Sequence, residues 1–350
     1  MLVSLVVDPR CFGPEGVVDD NTRKEAIRLL QTVIEDGAIF VAHSAAQFCQ
    51  SVADEAEKLG TKLGQRIQKL SEELLKGTTR DRCIVTPRDP DLRMTGSVTE
   101  QFCSLAKSTK TDLIVCPDSD AARECAAAAG QGIEICDLSR YSDAQVEQKR
   151  IKFASEFPLH SCSEYHATEC VGRAVRYGDV IVIADKMLGR KAKNGKVTAD
   201  LRRFAKGVIY LAAQWHSFSP FADRLQCRVE LVTLGGCTGP GGGDVNPAIA
   251  APVINAAIEE ADAKRLVQHL TIEFKQDDES GAFNERVLGC AGRVWRINHG
   301  LDDLGRLTGP AAERRFCSID PDSQANRDRL AAIRRLRLIE RYSYRGRHAT

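Results

Sequence analysis

Short apolar runs alternate with longer amphipathic stretches along the first 145 residues. LVSLVV, AIFVA, CIVT, DLIVC and IEICDL are runs of strand length, rich in Val and Ile, with little polar alternation. That pattern predicts strands buried on both faces, as in a mostly parallel sheet. Between them, NTRKEAIRLLQTVIED, AAQFCQSVADEAEKLGTKLGQRIQKLSEELL, VTEQFCSLAKST and DAARECAAAA carry apolar residues at helical spacing. Asn21 or Thr22 is the expected cap of the first helix, with Glu25 in its first turn. Strands alternating with helices predict an α/β layer.

A connecting helix, SDAQVEQKRIKFASEF, leads into LHSCSEYHATECVGRAVRYG, read as irregular or short helical structure. The pattern then restarts. DVIVIADKML, RVELVTLGG, LTIEFKQ, RVLGC and RVWRIN read as strands, and TADLRRFAKGVIYLAAQWHSF and AIAAPVINAAIEEADAKRLVQHL as helices. The expected fold class is α/β in two domains. The boundaries read as 1–145 for the first domain, 146–177 for a connecting helical segment, 178–325 for the second domain and 326–350 for a basic C-terminal helix and tail. In that tail Leu330, Ile333, Leu336, Leu338 and Ile339 recur at near-helical spacing. They predict a terminal helix docked by an apolar stripe.

The chain of 350 residues is long for one core. It contains no apolar run of the roughly 18 residues needed to span a bilayer. The N-terminus lacks a basic flank and a cleavage site and reads as a first strand. Thirteen scattered cysteines without a CxxC pair point to buried or free thiols in a cytoplasmic protein. The net charge of +1 conceals eight arginines in the last 24 residues against Asp328 and Glu340. This segment is either a solvated basic face or a contact for nucleic acid, with Tyr342 and Tyr344 available for stacking.

Candidate chemistry begins with acids at strand ends. Asp8 follows SLVV, and Asp118 and Asp120 follow DLIVC. In a parallel sheet such ends converge on one edge, where sites form at the reversal of strand order. Carboxylates placed there can hold a divalent metal, or can serve as helix caps and turn formers.

The order of parts in the first half resembles PIN-like nuclease domains. The resemblance rests on a first strand ending in Asp, the segment GAIFVAHSAAQF, and the closing run DLIVCPDSDAARECAAAAGQGIEICDLSRY. It implies that Asp8 takes the first acidic position and Asp118 and Asp120 the last, holding Mg2+ or Mn2+ for cleavage of RNA or DNA. Gln47 stands where the family usually carries Glu. MTGSVTEQF offers Ser97 and Glu100 at the middle position, so Glu100 is the candidate fourth acid.

Residues 178–308 resemble the phospholipase D-like C-terminal domain of MIT-domain proteins. The blocks run in order: IVIADKMLGR, ADLRRFAKGV, VELVTLGG, FNERV and RVWRINHGLDDL, with Trp295, Gly300, Leu301 and Asp302 carrying most of the likeness. Active phospholipase D-type enzymes use a His nucleophile, and Asn284 stands at that place here, which removes the imidazole the chemistry needs. Lys186, Arg190, Arg202, Arg203 and Arg286 are the candidate phosphate ligands of this fold's cleft, with His299 as an anion contact or plain surface.

Two further clusters carry metal-ligand or glycine-rich patterns. His160, Cys162, His166 and Cys170 are competent zinc ligands, but their pairs lie closer together than in common zinc modules. GGCTGPGGGDVNP matches neither a P-loop nor GxGxxG and reads as a loop. The expected function is a metal-dependent nuclease with a phosphate- or partner-recognising second domain, an arrangement suited to prokaryotic conflict systems such as phage defence. The alternative is a non-catalytic adaptor binding partner proteins, nucleic acid or anionic lipid.

Overall fold

The structure is a computed structural model. It describes all residues except 1–2, 36, 42–43, 61, 77–82, 86–95, 130–132, 157–170, 193, 224, 237–244, 277–280, 298–300, 302–303, 305–318, 321–323 and 347–350. The chain is mixed α/β and divides into two compact units, Met1–Glu156 and Phe157–Thr350.

Unit 1 contains β1 (Val3–Val7), α1 (Asp20–Glu35), β2 (Gly37–Val41), α2 (Ala45–Glu57), α3 (Lys62–Glu73), β3 (Cys83–Val85), α4 (Val98–Ser108), β4 (Leu113–Cys116), α5 (Ser119–Ala129), β5 (Glu134–Asp137) and α6 (Gln145–Glu156). All five strands are parallel, in the order β3-β2-β1-β4-β5. The order reverses beside β1, whose Leu5 and Val7 pair with Leu113 and Val115 of β4.

Strand residues alternate between two buried faces. Val3, Leu5 and Val7 join Leu29, Leu30, Val33, Val52 and Ile67 from α1, α2 and α3 in one core. On β1 only Ser4 and Val6 remain for the opposite face, the side on which α4 packs. Burial on both sides explains why β1, β2 and β4 read as apolar runs; β5, at the edge of the sheet, is half-buried. The long second helix expected from the sequence is broken into α2 and α3. Gly60 takes φ +56° after Leu59 and Gly60 close turns onto Ala56 and Glu57, a left-handed helix end that suits glycine. The cap of α1 is Asp19, whose Oδ1 accepts from Thr22 N at 2.8 Å; neither Asn21 nor Thr22 fills that role.

Unit 2 contains β6 (Val180–Ala184), α7 (Met187–Ala192), α8 (Ala199–Phe218), β7 (Arg228–Gly236), α9 (Pro247–Ala261), β8 (His269–Gln276), β9 (Arg286–Cys290), β10 (Arg293–Ile297), β11 (Ile319–Asp320), α10 (Gln324–Arg335) and β12 (Leu338–Arg345). Its mixed sheet runs β11-β10-β9-β6-β7-β8-β12. β6, β7 and β8 are parallel, and the other pairings are antiparallel. One core joins Ile181, Ile183, Val229 and Leu231 to Phe204, Leu211, Trp215 and Ile254 of α8 and α9. A second joins Val182, Val232, Val287 and Val294 to Leu330, Ile333 and Leu336 around α10. β9 and β10 meet at a tight turn in which Ala291 (φ 49°) and Gly292 (φ 72°) are both left-handed, as a type I′ hairpin requires.

The tail differs from its sequence pattern. The apolar stripe docks a helix through Leu330 and Ile333 and ends with Leu336, just beyond that helix. Leu338–Arg345 is instead an edge strand, paired antiparallel with β8 from Leu338↔Lys275 to Arg345↔His269. The aromatic and polar residues of IERYSYR alternate, and Tyr342 packs edge-on against Phe274 at 6.1 Å, so sheet pairing outweighs the helical spacing of Leu338 and Ile339. Tyr342 and Tyr344 are partly buried against the core of unit 2, and neither stands free as a base-stacking platform.

Candidate functional site

The carboxyl edge of the unit 1 sheet gathers the expected acids by topology. Each helix after a strand begins at that edge, so the strand-end residues and the first turns of α4 and α5 lie along it. Asp8 ends β1 and its N–H donates to Val115 O at 3.1 Å, which anchors it beside the end of β4. Pro9 then starts a 3-10 turn over Pro9–Phe12, with Asp8 as its cap. That turn returns Arg10 onto the acid. Asp8 Oδ1 accepts from Arg10 N (2.9 Å) and Nε (3.2 Å), while Oδ2 accepts from Nε (3.1 Å) and Nη2 (2.7 Å). Glu15 takes the remaining Arg10 Nη1 at 3.1 Å. Asp8 is 4% exposed, whereas the Arg10 side chain is 40% exposed. The bonds to Asp8 push the Arg10 guanidinium above its ordinary value, so it stays charged throughout the usable pH range.

The other acids have local partners of their own. Asp118 is exposed and caps α5, with Oδ1 accepting from Asp120 N (2.9 Å) and Ala121 N (2.8 Å). Asp120 is exposed and pairs with Arg123 at 3.0 Å. Glu100 forms a reciprocal capping box with Ser97, and Gln47 sits three residues after the Ser44 cap of α2. The structure thus brings Asp8 and the strand that leads to Asp118 together at the reversal point, with each carboxylate in a separate hydrogen-bond set. Among the described residues no group of three or more His, Cys, Asp and Glu side chains is arranged to hold a metal ion. Mg2+ asks for octahedral oxygen ligands at about 2.0–2.1 Å. With both Asp8 oxygens facing a guanidinium, the residues as arranged do not fit that demand.

Beside this edge lies a cleft of about 370 Å³. Ser119, Arg123, Cys136, Asp137 and Arg140 are among its lining residues. Glu134 closes one side by capping α6, accepting from Gln145 N and Val146 N.

No protein-family model, curated protein or solved structure matches this chain.

In unit 2 the end of β6 repeats the chemistry of Asp8. Asp185 is 2% exposed and its N–H donates to Val232 O on the neighbouring strand. Its Oδ1 accepts from Met187 N at 2.8 Å, and its Oδ2 from Arg286 Nε at 3.0 Å. Arg286 is therefore bound to an acid, as are Arg202 to Glu260 (3.6 Å) and Arg203 to Asp200 (3.4 Å). Lys186 and Arg190 are half-buried at the start and near the end of α7, and Lys186 meets no ionic partner among the described residues. Asn284 is exposed at the end of a 3-10 turn. Trp295 and Leu301 are buried in the core of unit 2. His299, Gly300 and Asp302 lie outside the described residues, as do His160, Cys162, His166, Cys170 and most of the glycine-rich loop.

Two residues of unit 1 lie outside the expected site set. Arg10 was legible, because an Arg two residues after a strand-end Asp, with Pro between them, can fold back onto it. Glu25 was read as an ordinary first-turn residue. It is 6% exposed, and its Oε2 has no hydrogen-bond partner among the described residues. Its register, four residues before Leu29 and eight before Val33, places it on the buried face of α1.

Proposed function

We propose that this chain is a non-cleaving adaptor that binds nucleic acid through its arginine-rich surfaces. The observation that carries this reading is the Arg10 fork on Asp8: the acid that nuclease chemistry would require is already neutralised by a permanent cation. The repeat of that arrangement at Asp185 and Arg286 supports it. The side chains of exposed Arg335, Arg337 and Arg345, at the end of the last helix, just after it and at the end of the last strand, make no hydrogen bond or ion pair among the described residues, which leaves them available to phosphate. Arg334 and Arg341 flank them, held by Glu230 and Glu273.

Labelled single-stranded RNA and DNA, titrated at rising salt with Mg2+ or Mn2+ present, test the proposal by anisotropy and by product length. Binding should weaken with salt, the strands should stay intact, and Arg335→Gln with Arg337→Gln should flatten the salt slope by about 0.7 per lost contact. Binding to anionic vesicles with no binding to nucleic acid would reject the nucleic-acid reading. A second reading, the metal-dependent nuclease, is favoured by one observation: Asp8 stands at the reversal of strand order beside the strand leading to Asp118. Metal-dependent products from the wild type that vanish in Asp8→Asn would establish it instead.

A further inference from the structure

Three cysteines of unit 1 meet behind the carboxyl edge. Cys103 comes from α4, Cys125 from α5 and Cys116 from the last position of β4. All are buried and in the free thiol form, at 3%, 1% and 3% exposure. Cys103 Sγ lies 3.3 Å from Cys125 Sγ and 3.4 Å from Cys125 O. Cys116 is near enough to Cys125 to push its thiol above the ordinary value. The helices that bring Cys103 and Cys125 together are packed along each other, so the contact is held by the fold.

We propose that Cys103 and Cys125 form a reversible disulfide when the protein meets a peroxide, which makes the α4–α5 seam a site of oxidative modification. A disulfide needs its sulfurs at about 2.05 Å, so closure asks for a relative shift of little more than ~1 Å between side chains already in contact. The Cys103 thiolate attacks one peroxide oxygen, the O–O bond breaks, and a sulfenic acid forms with release of water. The Cys125 thiolate then attacks the sulfenic sulfur; the S–S bond forms, the S–O bond breaks, and the departing hydroxide takes a proton to become water. In total two thiols lose two electrons and two protons, and the peroxide becomes two waters. Cys103, at 3% exposure against 1% for Cys125, is the sulfur oxidised first. Burial pushes its thiol up to about 12, so the reaction is slow at neutral pH and quickens as pH rises. The bridge ties α4 to α5, the helix that Asp118 caps and whose first turns carry Asp120 and Arg123 of the candidate site.

Peptide mass mapping of the full-length wild type, before and after hydrogen peroxide and again after dithiothreitol, tests this. The expected result is a crosslinked peptide pair joining Cys103 to Cys125, lighter by two hydrogens, formed faster at pH 9 than at pH 7 and lost on reduction. Cys116→Ala should leave its yield unchanged within twofold. A Cys116–Cys125 crosslink in its place, or oxidation of Cys103 to sulfinic acid without a crosslink, would overturn the proposal. So would two thiols that stay reduced while other cysteines oxidise.

Discussion

Replacing Arg10 by Gln is the most informative perturbation of the unit 1 edge. It leaves the Asp8 carboxylate at 4% exposure with the backbone N–H of residue 10 as its one remaining close donor among those now seen. Breaking a fully buried ion pair from one side costs about 3–5 kcal/mol. The Arg10 side chain is 40% exposed, so water already screens part of the attraction, and a loss of roughly 2 kcal/mol is expected after that discount. Asp8→Asn removes the charge and leaves a half-exposed guanidinium to the solvent, for a loss of about 1 kcal/mol. The double variant no longer holds an unpaired buried charge and should fall short of the sum by about 1 kcal/mol. Urea unfolding followed by far-UV circular dichroism measures these differences. Both tryptophans of the chain, Trp215 and Trp295, lie in unit 2, so the fluorescence transition reports that unit and the circular dichroism reports both. The same samples address metal. If the guanidinium is what keeps a cation away, Mn2+ should stabilise Arg10→Gln by about 1.4 kcal/mol at tenfold its dissociation constant and leave the wild type unchanged. An Arg10→Gln protein within about 0.5 kcal/mol of wild type, or a wild type equally stabilised by Mn2+, refutes the reasoning.

Two further expectations concern unit 2. Glu273 is pushed upward by burial, but bonds from Lys275 and Arg341 outweigh that and hold it below the usual carboxylate range. A depressed acid contributes stability that is present above its unfolded value, about 4.3, and is lost as pH falls through the lower folded value. Hydrogen exchange of β12 should therefore accelerate below about pH 4, and Glu273→Gln should remove that acid dependence; an unchanged acid limb in the variant would be the contrary result. Ile333 is fully buried where α10 meets the sheet, so Ile333→Ala should cost about 2–4 kcal/mol and lower the tryptophan midpoint, whereas a change below about 1 kcal/mol would mean that α10 is not docked there.

The strands of both sheets were largely legible because the relevant signal is local. A run such as LIVC, buried on both faces, has no polar alternation and is too short for a helix. Where two local signals compete, the sequence misleads. Leu336, Leu338 and Ile339 continue the helical stripe of α10, yet Leu338–Arg345 completes the sheet beside β8, and that partner lies more than sixty residues earlier. The break between α2 and α3 was signalled by Gly60, whose left-handed conformation ends the helix, but the amphipathic pattern on either side concealed it. β11 is two residues long and exists through its pairing with β10, which no window of sequence reveals.

The site was legible in position and not in state, for a physical reason. A parallel sheet directs its strand ends to one edge, so an acid there is placed by topology alone. Whether it meets a cation from solvent or one from its own chain depends on the next few residues. At Asp8 the Pro9 turn returns Arg10 within bonding distance, and at Asp185 the antiparallel β9 delivers Arg286 from 101 residues later. The first of these partners can be read from DPR; the second needs the sheet order. Both acids also accept a backbone N–H from two residues downstream, so each carboxylate holds the strand-to-helix turn in shape as well as carrying charge. Removing either acid should therefore loosen the turn in addition to freeing an arginine. Function and stability at these positions are consequently separated by the arginine variants, which keep the acid and its turn, more cleanly than by the aspartate variants.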